Sequence, residues 1–235
     1  ARFAELLTHV DDTDVILLPE MFTTGFSMAA STYAEASADS LTLQWMKTQA
    51  ERHQTVLAGS FMVEEEGRYY NRLYWVQPDG QVIHYDKKHL FSMAKEHEVY
   101  TAGNEQVIIE YKGWRIAPFI CYDLRFPAWN RNIRNYDLAI YVANWPSPRV
   151  HHWRSLLTAR AIENLAYIAA VNRVGTDEKG HEYTGDSSII DPTGRLLAYQ
   201  SHSEGILQAT LDRSAVVAAR KKYPFLTDRD GFEFL

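Results

Sequence analysis

Short apolar runs alternate along the chain with amphipathic stretches, and this alternation predicts strands and helices in turn. The run at 15–18 (Val-Ile-Leu-Leu) is continuous and apolar, which is typical of a strand buried on both faces. Residues 40–53 and 152–165 carry apolar residues at helical spacing and predict helices that bury one side. Further strand patterns lie at 55–63, 69–76, 81–85, 106–111, 114–120, 137–143, 166–172, 187–190, 196–199 and 205–211.

Turn residues join some of these strands directly. Pro78-Asp79-Gly80 lies between two strand segments, and so does Lys112-Gly113, so each position predicts a hairpin. Strands joined partly by hairpins and partly by helices indicate an α/β fold with mixed sheets and helices outside. No repeat or linker interrupts the pattern, and we therefore expect a single domain over residues 1–235.

Composition narrows the classes of function. The 235 residues are 46% hydrophobic, which is enough for one substantial core. A net charge of −6 does not attract phosphate backbones, so nucleic acid is not expected as a partner. No apolar run approaches the roughly 20 residues that span a bilayer, so no membrane partner is expected. Residues 1–7 are amphipathic and do not have the apolar core of a signal peptide, so a cytoplasmic location is expected.

Three predicted strands run directly into a reactive side chain. They lead to the carboxylate of Glu20, the amine of Lys87 and the thiol of Cys121, which is the only cysteine. Ligand sites of α/β proteins collect outside the carboxyl ends of strands, so these groups meet if their strands are neighbours. Taken singly, Glu20 could be an exposed strand end and Cys121 a buried, inert thiol. Lys87, beside Lys88, could be an ordinary solvated lysine.

The three groups together make chemical sense as the centre of a hydrolase. A thiol attacks a carbonyl or nitrile carbon as the thiolate. A carboxylate in a dry pocket can remove the thiol proton and later protonate departing ammonia. A fixed ammonium stabilises the oxyanion of the tetrahedral intermediate. The sequence therefore favours covalent hydrolysis of an amide or nitrile.

The segments around these residues resemble the signature motifs of the nitrilase, or carbon–nitrogen hydrolase, superfamily. Further matching segments follow in the order of the family and extend the resemblance over nearly the whole chain. The matching segments are Pro19-Glu20-Met21-Phe22, Asp86-Lys87-Lys88-His89-Leu90-Phe91, Cys121-Tyr122-Asp123-Leu124-Arg125-Phe126-Pro127, Arg160-Ala161-Ile162-Glu163-Asn164, Asn172-Arg173-Val174-Gly175 and 185–194.

The resemblance implies a Glu–Lys–Cys triad of Glu20, Lys87 and Cys121. Alignment on the His-Leu-Phe sequence at 89–91 selects Lys87 rather than Lys88 as the catalytic amine. The oxyanion would be held by the Lys87 amine and the backbone N–H of Tyr122, which also places Tyr122 among the substrate-binding residues.

The family also has a second glutamate, seven residues before a glycine, that positions the lysine and assists the reaction. In this chain that residue is Glu96, before Gly103, and Glu98 is a nearby competitor of lower rank.

For the fold, the resemblance implies a four-layer α-β-β-α sandwich with two mixed sheets, which usually forms a homodimer. No cofactor and no metal are expected. Family members open with a strand ahead of the first helix, and this strand is expected to be missing from the chain, which begins within an amphipathic helical pattern.

Within the superfamily the chain is similar to bacterial ω-amidases, which release ammonia from the side-chain amide of 2-oxoglutaramate or 2-oxosuccinamate. The similarity rests on residues 19–28 and on Ala143-Asn144-Trp145-Pro146. A small-molecule amide is then the expected partner, with Phe26, Phe91 and Trp145 as walls of its pocket. The alternative is that these aromatics belong to the core.

Such a substrate needs a cation for its carboxylate, and arginine is the usual choice. Arg125, Arg149 and Arg173 are all candidates at this stage. Arg125 could equally form a structural ion pair with Asp123 or Glu163.

Other functions stay open. A nitrile or an N-carbamoyl compound could replace the amide within the same superfamily, and a binding module of the same fold needs no chemistry at all. A Cys–His–Asp hydrolase would depend on a histidine instead of Lys87. A metal hydrolase could be imagined on His89, His97 and Glu98, but the nine histidines include no His-Glu-x-x-His spacing.

Overall fold

Two mixed β-sheets form the centre of the molecule in a computed structural model that describes residues 2–234. The strands are β1 (Val15–Leu17), β2 (Glu35–Ala36), β3 (Val56–Glu65), β4 (Arg68–Val76), β5 (Val82–Asp86), β6 (Ile109–Tyr111), β7 (Trp114–Ile120), β8 (Leu138–Ala143), β9 (Tyr167–Asn172), β10 (Val174–Thr176), β11 (Glu182–Ile190) and β12 (Leu196–Ser201). The helices are α1 (Arg2–Leu7), α2 (Ala30–Tyr33), α3 (Leu41–His53), α4 (Pro127–Asn130), α5 (Val150–Asn164) and α6 (Arg213–Lys222).

The first sheet has the order β1-β3-β4-β5, and β2 adds to β3. The strands β1 and β2 run parallel to β3, whereas β3, β4 and β5 form an antiparallel meander. The second sheet has the order β10-β11-β9-β8-β7-β6, with β12 on β11. Its centre, β7-β8-β9, is parallel and its flanks are antiparallel. Both predicted hairpins are confirmed, as β4–β5 and β6–β7.

The side chains of β4 pack alternately on two sides of its sheet, and this alternation explains how the sheets and helices are layered. Leu73 and Trp75 lie in a core shared with residues of the second sheet such as Ile140, while Tyr74 and Val76 pack with Met46 of α3. Successive side chains of a strand point to opposite faces, so one sheet lies between a helix and the other sheet. Helix α5 covers the second sheet through a buried row made up of Trp153, Leu157 and Ala161. The predicted four-layer α-β-β-α sandwich is confirmed.

Most predicted segments are strands or helices with bounds displaced by a few residues, but the prediction of a strand at 205–211 is wrong. This segment joins no ladder among the described residues. A cavity of about 850 Å³ separates it from β1 and lies against Val171 and Ile189. A strand requires a hydrogen-bonded neighbour, so apolar alternation alone does not make this segment one.

The layers place the ends of four strands together. Strands β1 and β5 of the first sheet and β7 and β8 of the second end on the same side, followed by Glu20, Lys87, Cys121 and Asn144. Within residues 2–234 no helix is both long and apolar enough to cross a membrane.

Candidate active site

An ammonium group between two carboxylates lies at the centre of this strand-end cluster. The Lys87 Nζ atom donates to Glu20 Oε1 at 2.8 Å and to both carboxylate oxygens of Glu96, at 3.0 and 2.9 Å. All three residues are at most 1% exposed. Charges buried this completely are retained only when they are paired and hydrogen-bonded, and this cluster satisfies both conditions.

Further donors hold the two carboxylates in place. The side-chain amide of Asn71, on β4, donates to Glu20 at 2.8 Å and to Glu96 at 3.3 Å. The backbone N–H of Asn144 donates to the other oxygen of Glu20 at 2.9 Å, and the N–H of Phe91 donates to Glu96 at 2.6 Å. Each carboxylate is therefore fixed from the first sheet and from a second element.

The charges of the cluster act on one another. Burial opposes the charge on Lys87, but the opposite charges of Glu20 and Glu96 outweigh it and hold the Lys87 pKa above its ordinary value. Burial raises the pKa of Glu96, and the charge of Lys87 works against that rise. The lysine is thus a permanent cation.

Cys121 begins a short helical turn, Cys121–Arg125, directly after β7. Its backbone is left-handed, with a φ of 43°, which is unfavourable for a residue with a side chain and is found mainly where surrounding structure enforces it. The half-buried thiol donates to the carbonyl of Asn144 at 3.9 Å. Because Asn144 also contacts Glu20, the thiol and the carboxylate share one neighbour.

The pKa of the Cys121 thiol is raised well above its ordinary value. Burial is the main cause, the negative charge of Glu20 adds to it, and the positive charge of Lys87 opposes it. The resting group is therefore a neutral thiol, and it needs a proton acceptor before it can attack.

Asp123 locks the turn that carries Cys121. Its carboxylate accepts from the N–H of Ile120 at 3.0 Å, the hydroxyl of Tyr85 at 2.8 Å and the N–H of His89 at 2.9 Å. Tyr85 and His89 flank the lysine segment of the first sheet, whereas Ile120 ends β7. This one buried carboxylate therefore joins the two segments that carry the amine and the thiol.

Aromatic rings lie beside the Lys87 amine and pack against Tyr122, the residue that follows Cys121. The Phe26 ring centroid lies 5.3 Å from Lys87 Nζ and 6.4 Å from the Phe91 ring, and Phe91 lies 5.0 Å from Tyr122. Trp145 is only 2% exposed, and its ring packs at a tilt of 42° against Trp153, with 5.4 Å between the ring centroids. Phe26, Phe91 and Tyr122 thus line the cluster, while Trp145 is part of the wall behind it.

The structure separates residues that the sequence left as competitors. Lys88 points away from the cluster and lies 5.2 Å above the ring of Trp129. Glu98 is exposed and pairs with Lys95 at 3.4 Å. Of these competitors, Lys87 contacts Glu20 directly, and Glu96 contacts Lys87 and Asn71, which are both partners of Glu20.

Among the described residues the Cys121 thiol bonds the carbonyl of Asn144 and no histidine, so the histidine alternatives lack the contact that a Cys–His–Asp hydrolase needs. His89 stacks on Phe126 at 3.7 Å and bonds Asp123 through Nδ1 at 2.9 Å. In the described part of the chain, no group of three or more histidine, cysteine, aspartate or glutamate side chains could hold a metal ion.

Sequence reasoning missed two residues of this arrangement. Asn71 lies inside the buried strand β4, and a polar amide at a buried strand position is a detectable signal because such a group needs partners. The sequence suggests Asp123 only as an ion-pair partner of Arg125, since spacing does not reveal its bonds across the two sheets.

Comparison with known proteins identifies the family. The carbon–nitrogen hydrolase model matches residues 3–221. The chain is 48% identical over 232 residues to the protein named omega-amidase YafV of Escherichia coli K12, covering 98% of this chain and 90% of that protein. It is 39% identical to the 2-oxoglutaramate amidase of Bacillus subtilis strain 168, covering 92% and 84% of the two chains.

One solved structure is also similar to this chain over nearly its whole length. XC1258 of Xanthomonas campestris, a CN-hydrolase superfamily protein with an arsenic adduct in its active site, superposes with a TM-score of 0.95 at 40% identity. The match covers 99% of this chain and 91% of that one. The chain described here belongs to the carbon–nitrogen hydrolase family.

Proposed function

We propose that the chain is an ω-amidase that hydrolyses the side-chain amide of 2-oxoglutaramate, or of the shorter 2-oxosuccinamate, to the dicarboxylate and ammonia. The observation that carries the proposal is the half-buried Cys121 thiol beside a buried cluster of Glu20, Lys87 and Glu96. The relatives named omega-amidase and 2-oxoglutaramate amidase support the choice of substrate.

In the first half of the reaction, Glu20 takes the proton of the Cys121 thiol. The sulfur electron pair forms a bond to the amide carbon, and the carbonyl electrons move onto oxygen. The oxyanion lies against Lys87 Nζ and the backbone N–H of Tyr122. The first N–H groups of a helical turn lack partners within it, which makes the Tyr122 N–H suitable for this role.

The intermediate collapses when the C–N bond breaks. The departing nitrogen takes the proton from Glu20 and leaves as ammonia, and a thioester remains on Cys121. Glu20 then removes a proton from water, the hydroxyl oxygen attacks the thioester carbon, and the sulfur leaves and regains the proton. Atoms and charge balance without any cofactor.

Glu96 has a supporting role in this scheme. Its two bonds to Lys87 Nζ, at 3.0 and 2.9 Å, fix the ammonium on the side away from the substrate. A rotatable lysine held at several points presents its charge at one position, which is what electrostatic stabilisation of an oxyanion requires.

A panel of substrates tests the proposal. Ammonia release should be faster from 2-oxoglutaramate than from glutamine, a nitrile or an N-carbamoyl compound, as measured by kcat/KM. If a nitrile or N-carbamoyl compound is the better substrate, the ω-amidase specificity is wrong while the family and mechanism are unaffected.

Variants separate covalent chemistry from the alternatives. Cys121→Ala should abolish turnover with the fold intact, and rapid quench with substrate should give a thioester on the native protein by mass spectrometry. Lys87→Ala should lower kcat by about a hundred- to a thousandfold. A Cys–His–Asp mechanism would instead require His89→Ala to abolish turnover while Lys87→Ala does not. Turnover by Cys121→Ala would mean that different chemistry operates, whereas absence of turnover by the native protein on every substrate of the panel would leave a binding module.

Two further expectations accompany the proposal. The cytoplasmic location and the homodimer stay predictions, and sedimentation of the purified chain tests the second. The amide substrate is the only partner on which the mechanism depends.

A further inference from the structure

The side-chain amide of Asn71 and the ammonium of Lys87 bridge the same two oxygen atoms. The Asn71 Nδ2 atom donates to Oε1 of Glu20 at 2.8 Å and to Oε1 of Glu96 at 3.3 Å. The Lys87 Nζ atom donates to these same two oxygens, at 2.8 and 3.0 Å. Asn71 is fully buried within β4. The two carboxylates are therefore joined by two donor groups, of which only the lysine carries a charge.

The orientation of the Asn71 amide favours carboxylates over protonated carboxyl groups. An NH2 group can only donate, and its hydrogen bonds are stronger when the acceptor is ionised. The opposite orientation would place the amide oxygen against two carboxylate oxygens. Asn71 keeps its orientation although its own Oδ1 is buried and accepts no hydrogen bond from any residue in 2–234. Because a buried acceptor without a partner is unfavourable, the bonds to the carboxylates outweigh that loss.

The cluster that Asn71 contacts carries an unbalanced charge. Glu20 and Glu96 share the single ammonium of Lys87, and all three residues are at most 1% exposed. Net charge is costly to bury, and uptake of a proton by one carboxylate would remove it. Burial is the main cause of the raised pKa of Glu96; the charge of Lys87 opposes it, and the charge of Glu20 adds to it. Neutral donors resist this proton uptake because they bond best to the ionised form.

Asn71 is the neutral donor that acts on both carboxylates. The backbone N–H of Asn144 bonds Glu20 at 2.9 Å, and the backbone N–H of Phe91 bonds Glu96 at 2.6 Å. Each of these donors reaches one carboxylate and belongs to the main chain. A substitution at position 71 can therefore remove the shared donor without changing the net charge of the cluster.

The two oxygens of Glu20 are not equivalent. Oε1 accepts from Asn71 and Lys87, whereas Oε2 accepts from the backbone N–H of Asn144. The carbonyl of the same Asn144 accepts from the Cys121 thiol at 3.9 Å, so Oε2 lies on the side of the nucleophile. An oxygen with fewer donors holds a proton more readily. Oε2 is therefore the atom suited to receive the thiol proton.

Other charged and titratable side chains near the site do not replace Asn71. Burial is the main cause of the raised pKa values of Tyr100 and Tyr183, so both phenols are neutral. Arg125, Arg149 and Arg173 each lie over an aromatic ring. Within the described chain, none of these arginines forms an ion pair with a carboxylate of the cluster.

We propose that Asn71 is a positioning residue that keeps Glu20 and Glu96 ionised together and leaves Oε2 of Glu20 to accept the thiol proton. The inference rests on the proposed function, because it concerns the proton acceptor of that mechanism. Without the amide, one carboxyl of the pair holds a proton at a pH where the native pair holds none. Fewer molecules then have a working base, so Asn71 sets the acid limit of activity.

The pH dependence of kcat/KM tests this role, since it reports the ionisation of the free enzyme. Asn71→Leu removes the donor and keeps a branched side chain in the core. The acid limb for 2-oxoglutaramate should move to higher pH by about one to two units, the value of hydrogen bonds to a charged group. Above that limb, kcat/KM should fall by less than about tenfold, because the base itself is present. Asn71→Ser retains one hydroxyl donor and should give a smaller shift.

Asn132→Ser is the matched control. Asn132 is also a fully buried asparagine, but its side chain bonds the backbone carbonyls of Tyr136 and Asn164 instead of a carboxylate. This variant should have a lower Tm and an unchanged acid limb. If Asn71→Leu and Asn71→Ser lower kcat/KM at every pH without moving the acid limb, Asn71 is only structural and the proposal is overturned. Thermal unfolding checks that each variant folds.

A second readout does not require turnover. Carbon NMR of protein labelled at the carboxyl carbon of glutamate follows Glu20 and Glu96 directly, and spectra of Glu20→Gln and Glu96→Gln assign their signals. In both Asn71 variants, one of the two signals should report protonation at a higher pH than in the native protein.

The two readouts separate this inference from the function on which it rests. Failure of the native protein to hydrolyse 2-oxoglutaramate would contradict the proposed function, while a shifted carboxyl titration would still support the role of Asn71. Identical carboxyl titrations in the native protein and in both Asn71 variants would overturn that role, even if the native protein is an active ω-amidase.

Discussion

At the residue scale, Glu20 has two opposed effects on Cys121. Its negative charge helps to raise the pKa of the thiol, which keeps the sulfur protonated and unreactive in the resting protein. In the proposed mechanism the same carboxylate accepts the thiol proton when substrate is bound. A nucleophile that is neutral at rest is protected from oxidation and alkylation, because both follow thiolate character.

These two effects can be separated by Glu20→Gln. Loss of the negative charge should move the pKa of Cys121 down, since burial remains but the second cause of the rise is removed. At a fixed pH below that pKa, iodoacetamide should therefore alkylate the variant faster than the native protein. Turnover should nevertheless fall by about a hundred- to ten-thousandfold, because the proton acceptor is lost.

The matched control is Glu98→Gln, an exposed glutamate two residues beyond Glu96. It should change neither the pH at which alkylation of Cys121 is half-maximal nor kcat. If this pH is unchanged or higher in Glu20→Gln than in the native protein, the electrostatic role assigned to Glu20 is contradicted.

The sequence could locate reactive groups at this scale but not their contacts. Cys121, Glu20 and Lys87 each follow an apolar run, so strand ends make them candidates, and the resemblance to the family motifs is what selects them. Asn71 and Asp123 depend on which strands are neighbours and on bonds across the two sheets, and no local pattern contains that information.

At the scale of elements, Gly103 controls how the Glu96 segment lies on the end of β5. Its backbone N–H donates to the carbonyl of Lys87 at 2.9 Å. A Cβ atom at this position would lie 2.2 Å from the carbonyl oxygen of Asp86. The contact is with backbone, so no rotamer change relieves it, and only glycine permits this approach.

Gly103→Ala should therefore push the Glu96 segment away from Lys87. We expect a loss of about 1–3 kcal/mol in the free energy of unfolding, as for other overpacked sites. We also expect kcat to fall by about a hundredfold, because displacements near 1 Å have that effect on a catalytic arrangement. Urea unfolding and steady-state kinetics measure the two quantities.

Gly231→Ala is the control for this substitution. An added Cβ there meets no heavy atom within 4 Å, so stability and activity should be unchanged. A stable, fully active Gly103→Ala variant would mean that the Glu96 segment tolerates displacement.

The elements themselves were largely predictable, because hairpin turns and continuous apolar runs are local signals. The segment 205–211 marks the limit of that reasoning. It has strand-like alternation, but a strand is defined by its neighbour, and the neighbouring position is a cavity. Conversely, β10 was not predicted, because its three residues are defined mainly by their pairing with β11.

At the scale of the whole molecule, the two sheets share one core. Side chains from β3, β4 and β5 pack in the same cluster as those from β7, β8 and β9, together with buried residues of α5. The candidate site repeats this arrangement, with Glu20 and Lys87 from the first sheet and Cys121 and Asn144 from the second. Separation of the sheets would expose the core and dismantle the site in one step.

We therefore predict that the chain unfolds as one cooperative unit. Amide protons of β4 and β8, one strand from each sheet, should exchange with the same free energy of opening, because neither sheet can open without exposing the shared core. Strand β12 is an edge strand with largely exposed side chains and provides the contrast. Its amide protons should exchange through local openings that have a lower free energy. Native-state hydrogen exchange at increasing urea makes the comparison. If β4 opened at a free energy well below that of β8, the first sheet would be an independent unit, and the pairing of Cys121 with Glu20 and Lys87 would depend on a weak docking of two bodies instead of one core.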